Sequence, residues 1–288
     1  MSKQPDKILL YGGGGTGKTV SLATIVPTLS EGGRLVIVKT ERNAVSGLEK
    51  GFAIHKITPK PGQVITVFPK KKEKAFENLK ISVREFQNTT LRSAKSGNSD
   101  STEGREKFTY FQDILNALTN FEGEDYVTNE IIKIGNVGEL TINDVLVVDG
   151  HTPIVSEVWG TIVGTRLVTN MGDYMPVQKV ILDIMRNLHA LECHIVLLGH
   201  SKQTYKEVSD GKTTTSVPDR TVFNAGCGEA NYEQIKGCFT DMIHASDMNG
   251  RYVWDVKNPK IDTIIRNTNI RDTDRQIEPS FAKWGYFK

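Results

Sequence analysis

Residues Gly12 to Thr19 read GGGGTGKT and satisfy the pattern G-x-x-x-x-G-K-[ST] at every fixed position. Glycines at this spacing let the backbone adopt positive φ and turn its N–H groups toward a polyphosphate. The candidate phosphate ligands are therefore Gly12, Gly13, Gly14, Gly15, Thr16, Gly17, Lys18, Thr19 and Val20. Lys18 is placed to reach the β- and γ-phosphates of a nucleoside triphosphate such as ATP, and the Thr19 hydroxyl to ligate Mg²⁺. The alternative is a glycine-rich turn that binds nothing, and the flanks argue against it. Ile8, Leu9, Leu10 and Tyr11 form an apolar run before the loop, and Val20, Leu22, Ala23 and Ile25 follow it at helical spacing. Strand, loop and helix in that order aim a helix N-terminus at the anion.

In a sheet of this kind the ligand lies beyond the carboxyl ends of the strands, so polar residues that end apolar runs are the next candidates. Asp149 ends VLVV and can hold Mg²⁺ opposite Thr19, through water; the alternative is a cap for a helix beginning near Pro153. Glu41 follows LVIVKT and can orient or deprotonate the attacking water if that strand neighbours the first; otherwise it is a surface glutamate beside Arg42. Gly150 favours the first role, because Asp149 is not followed by a second acid and a base must come from elsewhere. His200, ending IVLLGH, can sense a γ-phosphate by hydrogen bonding or be a capping or core histidine. Lys257 and Lys260 in VKNPK can stabilise transition-state charge in a neighbouring subunit's site, or be solvated lysines at a strand end.

These residues must be carried by a folded core, and 288 residues with 38% hydrophobic content suffice for one domain spanning 1–288. Strands are predicted at Arg34 to Thr40, Val64 to Phe68, Val145 to Val148 and Ile195 to Leu198. Between them lie a helix that Pro27 should stop or bend, an amphipathic helix through Phe108 to Leu118 and a long helix through Tyr174 to Leu191. A basic run, KKKEK, opens a helical and flexible insertion at about 70–106, and Ser201 to Pro218 reads as a mobile surface loop. Asn249-Gly250 marks a hairpin between Asp241 to Ser246 and Arg251 to Val256, with another strand at Ile261 to Ile265. Alternating strands and helices predict an α/β fold with a largely parallel central sheet, helices on both faces and an antiparallel C-terminal extension.

A net charge of +2 leaves any nucleic-acid contact to local patches, and three cysteines without C-x-x-C spacing argue against disulfides or structural zinc. There is no apolar run long enough for a membrane span and no signal-peptide core in MSKQPDK, so a soluble cytoplasmic protein is expected.

The order GGGGTGKT, LVIVKTE, VLVVDG and IVLLGH resembles the RecA-like P-loop ATPase core, and more closely the phage-encoded RecA-core ATPases associated with single-strand annealing. The resemblance covers roughly residues 7–265 and leaves the insertion unmatched. It implies a Mg²⁺-dependent ATPase that forms a homo-oligomeric ring or filament and acts on single-stranded DNA in recombination, annealing or replication, in the host cytoplasm if phage-encoded. Residue by residue it implies Lys18 and Thr19 as phosphate and Mg²⁺ ligands, Asp149 as the second metal anchor, Glu41 as base and His200 as a polar switch. The stretch Ser201 to Asn224 would then be a DNA-binding loop, with Lys202, Lys206, Lys212 and Arg220 on phosphates and Tyr205 and Phe223 as stacking candidates. VKNPK resembles the segment that reaches the next subunit's site. Lys39 stands where an acid commonly precedes the T-E pair and Gly150 replaces a usual serine, so slow hydrolysis is expected. The competing expectations are a packaging or helicase-type nucleic-acid motor and a nucleotide-dependent scaffold with little turnover.

Overall fold

The strand β1 (Lys7–Gly12, KILLYG) is buried along its whole length, so it must be covered on both faces and paired on both edges. Its alternating side chains divide the core in two. Ile8 and Leu10 enter one apolar layer while Leu9 and Tyr11 enter the other. In a computed structural model describing residues 4–40, 44–68, 114–115, 118–119, 121–163, 171–209 and 214–287, both layers are closed by helices. The first holds Leu22 and Ile25 after the loop, with Leu48 and Phe52 of α2 (Ala44–His55). The second holds residues from α3 (His151–Val163), α4 (Met171–Ala190) and α5 (Glu229–Lys236).

The main sheet adds β2 (Leu35–Lys39), β3 (Val64–Val67), β4 (Phe121–Asp125), β5 (Ile131–Gly135), β6 (Val145–Asp149), β7 (His194–Gly199), β10 (Asp241–Met248), β11 (Arg251–Asp255) and β12 (Gln276–Ile277). Its order is β12-β11-β10-β1-β7-β6-β2-β3-β4-β5. The six central strands from β10 to β3 are all parallel. Antiparallel pairs finish both edges: β10–β11–β12 at one, as expected, and β3–β4–β5 at the other, which the sequence reading did not anticipate. The fold is thus α/β with a largely parallel sheet.

Three local expectations are revised. After α1 (Lys18–Ser21) the chain tightens into a 3₁₀ helix over Leu22–Thr28 that contains Pro27. Proline lacks the N–H for an i−4 bond, and the hydroxyls of Ser21, Thr24 and Thr28 each donate to the carbonyl three residues back, at 2.7, 2.7 and 2.6 Å. The segment expected to be a mobile loop is instead a hairpin, β8 (Ser201–Ser209) with β9 (Thr214–Phe223). Its β-branched residues favour extended backbone, but with almost no buried face it carries no apolar alternation to announce itself. At 261–265 there is no strand, only single bridges from Ile261 to Thr221 and from Ile264 to Met242. The β11 strand already pairs with residues 244–248 of β10, so little open edge is left there. The expected insertion at 70–106 and most of the expected helix through 108–118 lie outside the described residues.

At the amino ends of the central strands, Asp144 anchors the start of β2. Its carboxylate accepts from the Arg34 side chain at 2.9 and 3.2 Å, from the Arg34 backbone at 3.1 Å and from Thr141 N at 2.9 Å. Burial pushes this carboxyl up, but Arg34 and the backbone donors outweigh burial and hold it below the usual carboxylate range. Asp144→Ala is expected to cost about 1–3 kcal/mol, since charged hydrogen bonds are lost at a half-exposed arginine. Urea unfolding of the two proteins at pH 7 measures the difference.

Candidate functional site

Parallel pairing brings the carboxyl ends of β1, β7 and β6 side by side. Tyr11 pairs with Gly199, and Leu198 pairs with Asp149. The loop after β1, His200 after β7 and Asp149 at the end of β6 are therefore brought together by strand pairing. They line one cavity of about 410 Å³ together with residues 14–20. Gly12 and Gly13 hold the loop's lysine: the Lys18 ammonium donates to their carbonyls at 3.0 and 2.7 Å. Gly17 has φ 79° and lies against the ring of Tyr252, where an added Cβ would fall 2.5 Å from the nearest ring atom. No side chain fits there, and glycine alone takes the turn without strain.

Two residues that sequence reasoning missed close the cavity. Lys50 on α2 and Tyr252 on β11 both line it, and the Lys50 ammonium donates to the Tyr252 hydroxyl at 3.0 Å. A signal for α2 was present in Gly47 and Gly51, one helical turn apart. A Cβ on Gly51 would meet Val20 O at 2.3 Å, and one on Gly47 would meet the Thr19 Cβ at 3.0 Å. The pair lets α2 lie directly on the loop's helix.

Asp149 is buried at 4% exposure, and α3 starts two residues later, at His151. Together with Thr19 it fits a magnesium ion that keeps water and phosphate oxygens as its remaining ligands. Among the described residues, no group of three or more His, Cys, Asp or Glu could hold a metal ion by itself. Glu41 lies outside the described residues. The strand leading to it does not neighbour β1, because β6 and β7 stand between them. It does neighbour Asp149. Thr40 Oγ1 lies 2.7 Å from the carbonyls of both Asp149 and Gly150, and Lys39 is in register with Asp149. Lys39 is itself buried, and burial pulls its ammonium below the ordinary lysine range, opposed by Asp149, Glu49 and Glu124.

The remaining candidates lie away from the cavity. Lys257 pairs with Asp272 of its own chain, and the Lys260 carbonyl accepts from Thr221 at the base of the hairpin. Lys202, Lys206 and Arg220 are exposed on the hairpin, where Asp219 lies 3.7 Å from both Lys206 and Arg220. Lys212 lies outside the described residues. Of the two stacking candidates, Tyr205 is 62% exposed, but Phe223 is fully buried. Its ring packs edge-on against Tyr11 and at 5.0 Å from His151, so it is a core residue. The three cysteines are free thiols, and no helix among the described residues is long and apolar enough to cross a membrane.

No family model matches this sequence, and no curated protein does. Among solved structures, a KaiC-like protein from the hyperthermophilic archaeon Pyrococcus horikoshii is similar, at 12% identity over 86% of this chain and 76% of that one, with a TM-score of 0.31.

His151 joins the site to the hairpin. Fully buried, it has Nε2 3.0 Å from Ala225 O, just beyond the end of β9. Burial pushes its pKa down to about 4, against the raising effect of that hydrogen bond. An unfolded histidine takes a proton near pH 6.5, so between roughly pH 6.5 and 4 the unfolded chain binds more protons and stability falls as pH falls. His151→Gln should flatten that slope, and thermal unfolding of both proteins at pH 7 and pH 5 tests it.

Proposed function

We propose that this chain is a Mg²⁺-dependent RecA-like ATPase that assembles with copies of itself in the cytoplasm and acts on single-stranded DNA in recombination, annealing or replication, in the manner of the phage-encoded members. The observation that supports it is the convergence of Lys18, Thr19, Asp149 and His200 on one cavity at the carboxyl ends of three adjacent parallel strands.

In this reading the loop N–H groups and the N-terminus of α1 bind the phosphates, and Lys18 transfers its hydrogen bonds from the Gly12 and Gly13 carbonyls to the β- and γ-oxygens. Bound with the nucleotide and held by Thr19 and Asp149, Mg²⁺ would offset charge on the β- and γ-phosphates. His200, between the loop and Asp149, accepts or donates at the γ-phosphate end. Its backbone carbonyl accepts from Asn224 N at 2.8 Å, so a shift there reaches the hairpin base directly. The hairpin offers Lys202, Lys206, Arg220 and exposed Tyr205 to a DNA strand; the ion pairs with Asp219 are of the surface kind that a phosphate can displace.

The scaffold reading is favoured by one observation. Asp149 is the only carboxylate among the described residues that line the cavity, so a carboxylate base for turnover would have to come from elsewhere, with Glu41 the candidate. Lys18→Ala should fold normally yet lose ATP binding, and Glu41→Gln should bind ATP and hydrolyse it about a hundredfold more slowly. ATPase rates with and without single-stranded DNA separate the readings: stimulation supports the recombinase, translocation along the strand a motor, and binding without turnover a scaffold. Replacing Lys202, Lys206, Lys212 and Arg220 together by alanine should weaken single-stranded DNA binding and reduce its salt dependence while ATP binding survives. No DNA binding by the assembled wild-type protein at low salt, with ATP and Mg²⁺ present, would remove the DNA role.

A further inference from the structure

A second cavity of about 310 Å³ opens beside the first, and the two share Gly17, Val20, Lys50 and Tyr252. Which part of a nucleotide would enter it follows from the order of groups along the chain of phosphates. Lys18 and Asp149 take the γ-phosphate end, and the loop N–H groups take the α- and β-phosphates. Asp149, Gly150 and His200 line only the first cavity, whereas Ile54, His55, Arg251 and Pro279 line only the second. The nucleoside therefore leaves the loop on the side of the second cavity, passing the Lys50–Tyr252 pair.

The lining there has a definite chemical character. Val20, Ile54, Pro279 and the Tyr252 ring are apolar or aromatic walls, and Lys50, His55 and Arg251 are basic or imidazole groups. Among the described residues, no carboxylate and no carboxamide lines it. The exocyclic amine of adenine thus meets no side-chain carboxylate or carboxamide, while the cations tolerate the O6 and N7 acceptors of guanine as well as adenine N7. A site that leaves a polar group of the wrong base unpaired rejects it strongly; a site that recognises only shape and apolar surface does not.

We infer that this cavity takes the base and ribose of the bound nucleotide and reads them by shape and apolar contact, so that the site accepts GTP as well as ATP. The inference rests on residues 12–19 being the phosphate site. It is tested by calorimetric titration of the full chain with ATP, GTP and inorganic tripolyphosphate, each with Mg²⁺, for the wild type, Arg251→Trp and Ile54→Trp, both at residues that line only the second cavity. Ile54 is half exposed on α2, so its tryptophan variant fills the cavity without touching the core.

The wild type should bind ATP and GTP within about tenfold of each other. Each variant should weaken both nucleotides by about tenfold or more and leave tripolyphosphate within about threefold. A preference for ATP over GTP beyond about tenfold would overturn the inference, and so would variants that weaken tripolyphosphate as much as the nucleotides. A wild type that binds none of the three would bring down the phosphate-site reading itself, a different failure from base discrimination at a working phosphate site.

Discussion

The parallel ladder β1–β7–β6 is the constraint on which the site depends. Parallel strands all end at the same edge, and each ladder step separates neighbours by about 4.8 Å. The loop after β1 and the carboxylate that ends β6 therefore stand two ladder steps apart, roughly 10 Å, with His200 in the interval. That gap suits a phosphate and a hydrated cation, and it exists because a strand late in the sequence, β7, inserts between two earlier ones. A direct β1–β6 pair would have brought Asp149 against the glycine loop and left no room between them.

Keeping such a ladder dry on both faces requires the two helical layers, and the layers in turn shape the site. On one face α2 approaches the loop's helix through Gly47 and Gly51, which carries Lys50 to the cavity rim. The antiparallel edge does the same from the other side, since β11 brings Tyr252 onto Gly17. Loop conformation is thus restrained by packing from an early helix and a late strand. A loop so restrained loses less entropy when it orders around a phosphate than a free glycine-rich segment would.

On the opposite face a run of rings connects the site to the hairpin. Tyr11, just before the loop, packs on Phe223 at the end of β9, and Phe223 packs on His151 just after Asp149. His151 then reaches Ala225. Residues flanking the phosphate loop and the acidic strand end therefore touch the same buried ring at the base of the exposed hairpin.

Much of this was legible in the amino-acid order. The GGGGTGKT run, the buried strands at Val145 to Val148 and Ile195 to Leu198, the long helix before β7 and the Asn249-Gly250 hairpin all carry local signals, because glycine geometry and apolar periodicity act within a few residues. Candidate residues at strand ends were legible for the same reason. Polar, half-solvated ribbons such as β8–β9 and β4–β5 were not, since pairing without a buried face leaves no periodicity. Nor could the order of strands be read. It placed His200 between the loop and Asp149, put β6 and β7 between the Glu41 strand and β1, buried Phe223, and brought Lys50 and Tyr252 from residues about 200 positions apart to one rim. Those outcomes depend on which edges pair and which faces pack, long-range contacts whose energies are spread over the whole sheet and leave no mark on any single stretch of sequence.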